Sequence, residues 1–292
     1  MLTVCLFGRF EPRHDGAAVA GLEARKVQEL LAVLLLSKNH SVHREILADR
    51  LWPDVDTARA RKYLRQALWQ LQRCGDEDGM TSVVHADPEW RSLTSSGSVW
   101  FDVVQFQNAY DGIVSTGQSS QLSADNRRRL RQAATLYRGE LLGGWYQDWC
   151  CDAREHLRVM YLTMLSCLLE DAYAIGDWRA GLIYGRIALE EDRADEHAHL
   201  LLMRFHCMAG NRTGALRQYD RCKSALREEF AVEPAEDIQR LRRDLCAPVN
   251  RAAHPPAKVP GEPGDIAPAL QSLRAAVQER QAELGARLPR VS

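Results

Sequence analysis

Apolar and polar positions change their spacing several times along the chain, and each change marks an element. Leu2 to Gly8 is a short β-rich run, followed by turn formers around Asp15-Gly16 with Val19 beyond, so a small N-terminal sheet is expected. Glu23 to Ser37 follows with Leu30, Leu31, Leu34 and Leu35 at helical spacing, and Lys38-Asn39-His40 breaks that helix. Ser41 is placed to cap a short helix from Val42 to Leu51, which Pro53 ends. Thr57 is placed to cap a longer helix that Gly75 to Gly79 closes. Val83-Val84-His85 and Trp90-Arg91-Ser92-Leu93, joined by Asp87-Pro88-Glu89, then read as a hairpin.

Beyond Val103 the pattern is almost wholly helical. The spacing predicts helices at Val103 to Ser115, Asp125 to Arg138, Asp152 to Ile175 and Trp178 to Glu191. Three more follow at Glu196 to Ala209, Thr213 to Phe230 and Ala235 to Leu245, and residues 139–144 form a loop. Gly176-Asp177-Trp178-Arg179-Ala180-Gly181-Leu182 echoes Gly210-Asn211-Arg212-Thr213-Gly214-Ala215-Leu216 at a shift of 34 residues, which is the period of a tetratricopeptide helix pair. Small residues at 180, 181, 214 and 215 would let neighbouring helices approach closely. Residues 247–268 hold six prolines and read as a linker, and Ala269 to Leu284 reads as an amphipathic helix.

Charge singles out one of these elements. Between Thr57 and Arg73 stand Arg59, Arg61, Lys62, Arg65 and Arg73 and no acid. Wound as a helix, that stretch gathers Ala60, Leu64, Ala67, Leu68 and Leu71 on one stripe. Lys62, Arg65, Gln66, Trp69 and Arg73 stand opposite, with Arg59 and Arg61 on the flanks. One side suits a core. The other suits a polyanion with readable edges, although a merely solvated basic helix has the same pattern. Residues 148–196 carry eleven acids against five arginines, so the formal net charge of −1 conceals a basic segment ahead of an acidic body. The order strands, helix, short helix, turn, basic helix and hairpin is that of a helix-turn-helix with a wing, whose last helix enters the major groove.

At this point the residues resemble a family. LTVCLFGRFEPRHDG, ARKVQELLAVLLLSKNHSVHREILADRLWP and ARKYLRQALWQLQR are similar to the OmpR-type winged helix of the actinobacterial antibiotic regulatory proteins. Leu51-Trp52 and the LRQAL run are the most specific matches. Val99-Trp100-Phe101-Asp102 with Phe106 resembles the joining segment. Residues 137–145 (YRGELLGGW) and 215–241 resemble the bacterial transcriptional activation domain of the same regulators. The resemblance implies a winged helix-turn-helix over residues 1–98 and a mainly α, tetratricopeptide-like activation domain over 99–246, ahead of the linker (247–268) and C-terminal tail (269–292). It also implies a cytoplasmic transcriptional activator of specialised-metabolite biosynthetic genes that binds double-stranded promoter DNA at direct repeats. RNA polymerase, through its sigma factor, is the implied protein partner, and the implied assembly is a homodimer or tandem protomers. The competing function is a helical-repeat adaptor that uses its winged domain to bind protein.

On the helix-turn-helix reading Arg65, Gln66, Trp69 and Arg73 reach base edges, while Arg59, Arg61 and Lys62 reach phosphates. Arginine pairs with guanine and glutamine with adenine, each worth about 1–3 kcal/mol of discrimination. Trp69 departs from the small polar residue expected there; it either touches a thymine methyl or sugar, or packs beneath the wing. Arg91 and His85 of the hairpin are phosphate contacts or exposed polar residues. No enzyme, cofactor or metal is expected. Cys150-Cys151 with His156, and His197, His199 and His206, lack a trustworthy ligand spacing. The charged residues from Asp148 to Glu155 are best explained as a solvated helix start, and no GxxxxGK[ST] occurs. Eight cysteines without a CxxC pair or a leader-like N-terminus suit reduced thiols, and the longest apolar run, Leu30 to Leu36, is too short to span a bilayer.

Overall fold

The computed structural model describes residues 2–19, 22, 24–37, 41–78, 84–86, 89–93, 99–116 and 122–247. The expected break at 38–40, the turn residues 87 and 88, nearly all of the linker and the C-terminal helix lie outside the described residues. The chain forms two compact units: residues 1–108 with 136–158, and residues 109–135 with the chain from Val159 onward. Mainly helical architecture with a small N-terminal sheet is what the residue pattern implied.

In the first unit, Leu2–Cys5 (β1), Glu11–His14 (β2), Ala17–Ala18 (β3) and a later strand, Val99–Phe101, form a four-stranded sheet. β1 runs antiparallel to β2 and parallel to the later strand, with Thr3 opposite Trp100. The β2–β3 turn is Asp15-Gly16, both at positive φ (48° and 87°), the conformation a two-residue hairpin needs and the reason an Asp-Gly pair stands there. Helices Arg25–Leu36 (α1), Arg44–Leu51 (α2) and Thr57–Asp78 (α3) follow. Leu30, Leu31, Leu34, Leu47, Leu51 and Leu71 are among the largest fully buried side chains.

The caps of α2 and α3 differ from expectation. Val42 and His43 form a short strand (β4), not the first turn of α2, because their backbones pair with Trp90 and Arg91. The α2 cap is therefore His43, whose Nδ1 accepts from Glu45 N at 3.3 Å, and not Ser41. Asp56, not Thr57, caps α3: its Oδ1 accepts from Arg59 N at 3.1 Å, since Thr57 is already the first helical residue. α3 also runs through Gly75 to Asp78 rather than closing there. Val84–Ala86 (β5) and Trp90–Leu93 (β6) are the expected antiparallel hairpin, joined to β4 in a second sheet of order β4-β6-β5.

Val99–Phe101 (β7) is part of the N-terminal sheet rather than a mere joining segment, and Asp102 explains its position. That buried carboxylate accepts from Leu6 N at 2.9 Å, Phe7 N at 3.0 Å and Val103 N at 2.7 Å. Burial pushes its pKa up to about 6, although those three donors oppose the rise. The loop at residues 137–145 belongs to the same unit. Leu142 N donates to Leu6 O (2.8 Å), Gly8 N donates to Glu140 O (2.9 Å), and Phe7 packs on Tyr137 and Phe106 with ring centroids 5.0 and 5.1 Å apart. Arg154 clamps this loop by donating to the carbonyls of Leu141, Leu142 and Trp145 at 2.7–2.8 Å. The charges between Asp148 and Glu155 are thus not all a solvated helix start: Arg154 is half-buried and holds three carbonyls.

The second unit holds most of Asp102–Thr116 (α4) and Ala124–Leu136 (α5), and the greater part of Asp148–Ile175 (α6). It continues with Trp178–Glu191 (α7), Glu196–Met208 (α8), Arg212–Phe230 (α9) and Glu236–Cys246 (α10). The 34-residue echo has a structural cause at each copy. Gly176 and Gly210 take positive φ (77° and 69°), a backbone that a side chain disfavours. The next residue then caps a helix: Asp177 accepts from Ala180 N at 3.1 Å and Asn211 from Gly214 N at 2.8 Å. α7 packs on α8 through Gly181, where a Cβ would stand 2.2 Å from the Phe205 ring. α5 is tied to α6 by Asp171, which is buried and accepts from Arg127 Nε (2.5 Å) and Nη2 (2.9 Å) and from Leu122 N (2.9 Å).

Candidate nucleic-acid interface

The candidate surface is built on α2, α3 and the β5–β6 hairpin. Leu51 ends α2 and Trp52 caps it, where the chain turns toward α3. Leu51 is buried and its carbonyl accepts from Lys26 Nζ at 2.7 Å, while the Trp52 ring packs on Tyr63 of α3 with centroids 6.0 Å apart. The apolar stripe read from spacing is the buried face of α3: Ala60, Leu64, Ala67, Leu68 and Leu71 are all buried. Burial of the stripe turns Arg59, Arg61, Lys62, Arg65, Gln66, Trp69 and Arg73 outward, and every one of them is exposed.

Their environments differ. Arg59 is paired with Asp56 at 3.3 Å and Arg61 with Glu45 of α2 at 2.5 Å. The Arg61 guanidinium holds the Glu45 carboxyl below the usual carboxylate range. Both are surface pairs, so their net worth is small and a phosphate can displace the carboxylate. Lys62 and Arg65 carry no ion pair among the described residues. Trp69 is 54% exposed, with the Arg73 guanidinium 4.9 Å from its ring centroid. The alternative in which Trp69 packs away beneath the wing is therefore overturned. The ring stands at the surface with a cation against it, a contact worth about 0.5–1 kcal/mol at an exposed site.

One arginine missed by the sequence reading joins this set. Arg44, the first residue of α2, donates its backbone N–H to Glu89 O of the hairpin at 2.9 Å. With Arg61, Arg65, Arg91, Leu64 and Leu68 it lines a recess of about 250 Å³ between α2, α3 and β6. Four arginines thus surround one small concavity. A cation in the first turn of a helix opposes the helix dipole, and that local conflict is the signal that could have drawn attention to Arg44. Arg91 is half-buried on β6, with its backbone opposite Val42 and Ala86. Of His85 the backbone alone is described.

The metal candidates are not brought together. Cys150 is buried while Cys151 and His156 are exposed, and His197 faces Glu170 at 3.3 Å whereas His199 is buried. Among the described residues no group of three or more His, Cys, Asp or Glu side chains is placed to hold a metal ion. No described helix is long and apolar enough to cross a membrane.

The bacterial transcriptional activator domain family matches residues 101–246, half of the chain. The chain belongs to that family. The chain is similar to the transcriptional regulatory protein MoaR1 of Mycobacterium bovis, 26% identical over 231 residues, covering 74% of this chain and 70% of that protein. MoaR1 of Mycobacterium tuberculosis matches to the same extent. Among solved structures, Mycobacterium tuberculosis EmbR in complex with a low-affinity phosphopeptide has the same fold, with a TM-score of 0.67 at 18% identity. That match covers 97% of this chain and 71% of the other. The resemblance to the actinobacterial antibiotic regulatory proteins is thereby borne out, and the protein is a transcriptional regulator of that type.

Proposed function

We propose that this regulator activates transcription by binding double-stranded promoter DNA through residues 1–98, while residues 99–246 act as its activation domain and contact RNA polymerase, with the sigma factor as the partner surface. The observation that carries the reading is the division of α3. Its apolar stripe is spent on the core, and its cationic face with Gln66 and Trp69 is left in solvent beside a recess lined by four arginines. α3 lies in the major groove with Arg65, Gln66, Trp69 and Arg73 at base edges. Arg59, Arg61, Lys62 and Arg91 are positioned for phosphates, and Arg44 joins them. Two protomers in tandem on a direct repeat, in the cytoplasm, upstream of specialised-metabolite biosynthetic genes, complete the proposal. A regulator acting in this way needs no catalytic centre and no cofactor.

Fluorescence anisotropy with labelled DNA from promoters flanking the protein's own gene tests it. Binding between nanomolar and micromolar is expected. Five phosphate contacts would make log K fall with log salt at a slope of about −4.5. R65A/R73A is expected to lose sequence-specific binding with helical content unchanged. Wild-type affinity in that variant would refute the recognition-helix assignment. Absence of salt-dependent DNA binding by the wild type would favour the protein-binding adaptor instead.

A further inference from the structure

The second unit contains a cavity that the DNA-binding proposal leaves unused. It lies between α7, α8 and α9 and has a volume of about 550 Å³, within the range of roughly 300–1,000 Å³ typical of small-molecule sites. Its apolar lining includes Leu182 and Leu189 from α7 and Leu202 from α8. Arg186 of α7 and Arg221 of α9 both line it, and neither carries an ion pair among the described residues. Arg193, also at the rim, is paired with Glu228 at 3.1 Å, and Glu190 and Asp220 supply carboxylates to the same lining.

At the floor stand two histidines of α8, His199 and His206. His206 is held below its ordinary pKa first by burial and then by Arg221 and Arg186, with no carboxylate acting on it. His199 is also held low, first by burial. Its ring is fixed by Arg193 O at 3.0 Å and Gln218 Nε2 at 2.7 Å, contacts that are satisfied by a neutral imidazole donating from Nε2 and accepting at Nδ1. Two histidines held toward the neutral form, an arginine from each of two helices and three leucines make a lining suited to an anion with an apolar body.

We propose that the α7–α9 cavity is a binding site for a small organic acid with an apolar body, its carboxylate held by Arg186 and Arg221 and its hydrocarbon part laid against Leu182, Leu189 and Leu202. The bound carboxylate offsets part of the positive charge that acts on His206, and its hydrocarbon part covers apolar surface on two helices, so the acid stabilises the folded second unit by mass action.

The test uses the full chain with 1-anilinonaphthalene-8-sulfonate as a fluorescent organic anion, and decanoate and decanol as competitors. Saturable binding is expected, displaced by decanoate and at least tenfold more weakly by decanol. R186Q/R221Q, which removes both charges but keeps polar side chains at two exposed positions, is expected to lose at least tenfold in affinity for both anions. R179Q, with its arginine outside the cavity lining, should bind as wild type does. Matching circular dichroism of the two variants confirms that fold is not the variable, and the single variants R186K and R221K, which retain the charge, should keep most of the wild-type affinity. Equal binding by R186Q/R221Q, equal displacement by decanol, or displacement only by an oligoglutamate peptide would overturn the proposal. DNA binding does not enter any of these readouts, so failure here leaves the promoter-binding reading standing, and the reverse is also true.

Discussion

Replacing Gly181 with alanine should destabilise the protein, whereas the same substitution at Gly112 should stabilise it. Both glycines lie within helices, where exchange for alanine gains about 1 kcal/mol of intrinsic helix propensity. At Gly112 a new Cβ meets nothing within 4 Å, so a gain of about 0.5–1 kcal/mol is expected. At Gly181 it would stand 2.2, 2.4 and 2.5 Å from three carbons of the Phe205 ring. Ordinary carbon contacts are about 3.5–4.0 Å, so helix or ring must move by more than about 1 Å. Phe205 is fully buried, so its ring moves only by displacing packed neighbours. Forcing a methylene-sized group into such a core costs about 1–3 kcal/mol, and a ring struck on three atoms belongs at the upper end. After the propensity gain, G181A should be about 2 kcal/mol less stable than wild type, and about 3 kcal/mol below G112A. Urea unfolding followed by far-UV circular dichroism measures both. F205L should relieve the clash, so the two substitutions should couple by at least about 1 kcal/mol in a double-mutant cycle. A G181A protein as stable as wild type, or strict additivity with F205L, would refute the claim that this glycine sets the α7–α8 distance.

Three further substitutions probe other parts of the fold. Asp102 has its pKa raised from 3.8 to about 6, so its contribution to stability is fully present below about pH 4 and is lost as pH rises through 6, a change of about 3 kcal/mol. D102N should flatten that interval of the pH profile in urea midpoints measured from pH 4 to 7; an unchanged profile would mean that the carboxylate titrates normally. D171A strips the buried acceptor from Arg127 and Leu122 N and should lose about 3–5 kcal/mol, with R127A/D171A recovering part of the loss. Ala231 ends α9 at a φ of 56°, and A231G should raise the melting temperature by relieving about 1 kcal/mol of left-handed strain; calorimetry showing no rise would place the strain elsewhere.

Periodicity sufficed wherever an element buries one face of itself. The α3 stripe, the β5–β6 pairing, the bounds of α7 and the glycine-aspartate and glycine-asparagine joints of the repeat all follow from local spacing, because a helix or hairpin must hide its apolar residues and cap its own ends. Errors arose where a distant partner competed with a local preference. Val42 and His43 left the helix for the hairpin strand. Arg154 was drawn from solvent to three carbonyls. Arg44 went unnoticed because nothing near it in the chain brings Arg61, Arg65 and Arg91 to its side.

What the chain's own order determined is therefore its class: a basic, one-sided helix behind a short helix and ahead of a hairpin, then a 34-residue helical repeat. Tertiary structure alone decided which charges share a concavity, both in the four-arginine recess and between α7 and α9. The reason is physical. Local spacing records which face of an element is apolar, whereas the meeting of side chains from separate elements depends on crossing angles and close approaches such as that of Gly181 to Phe205, which no single element encodes.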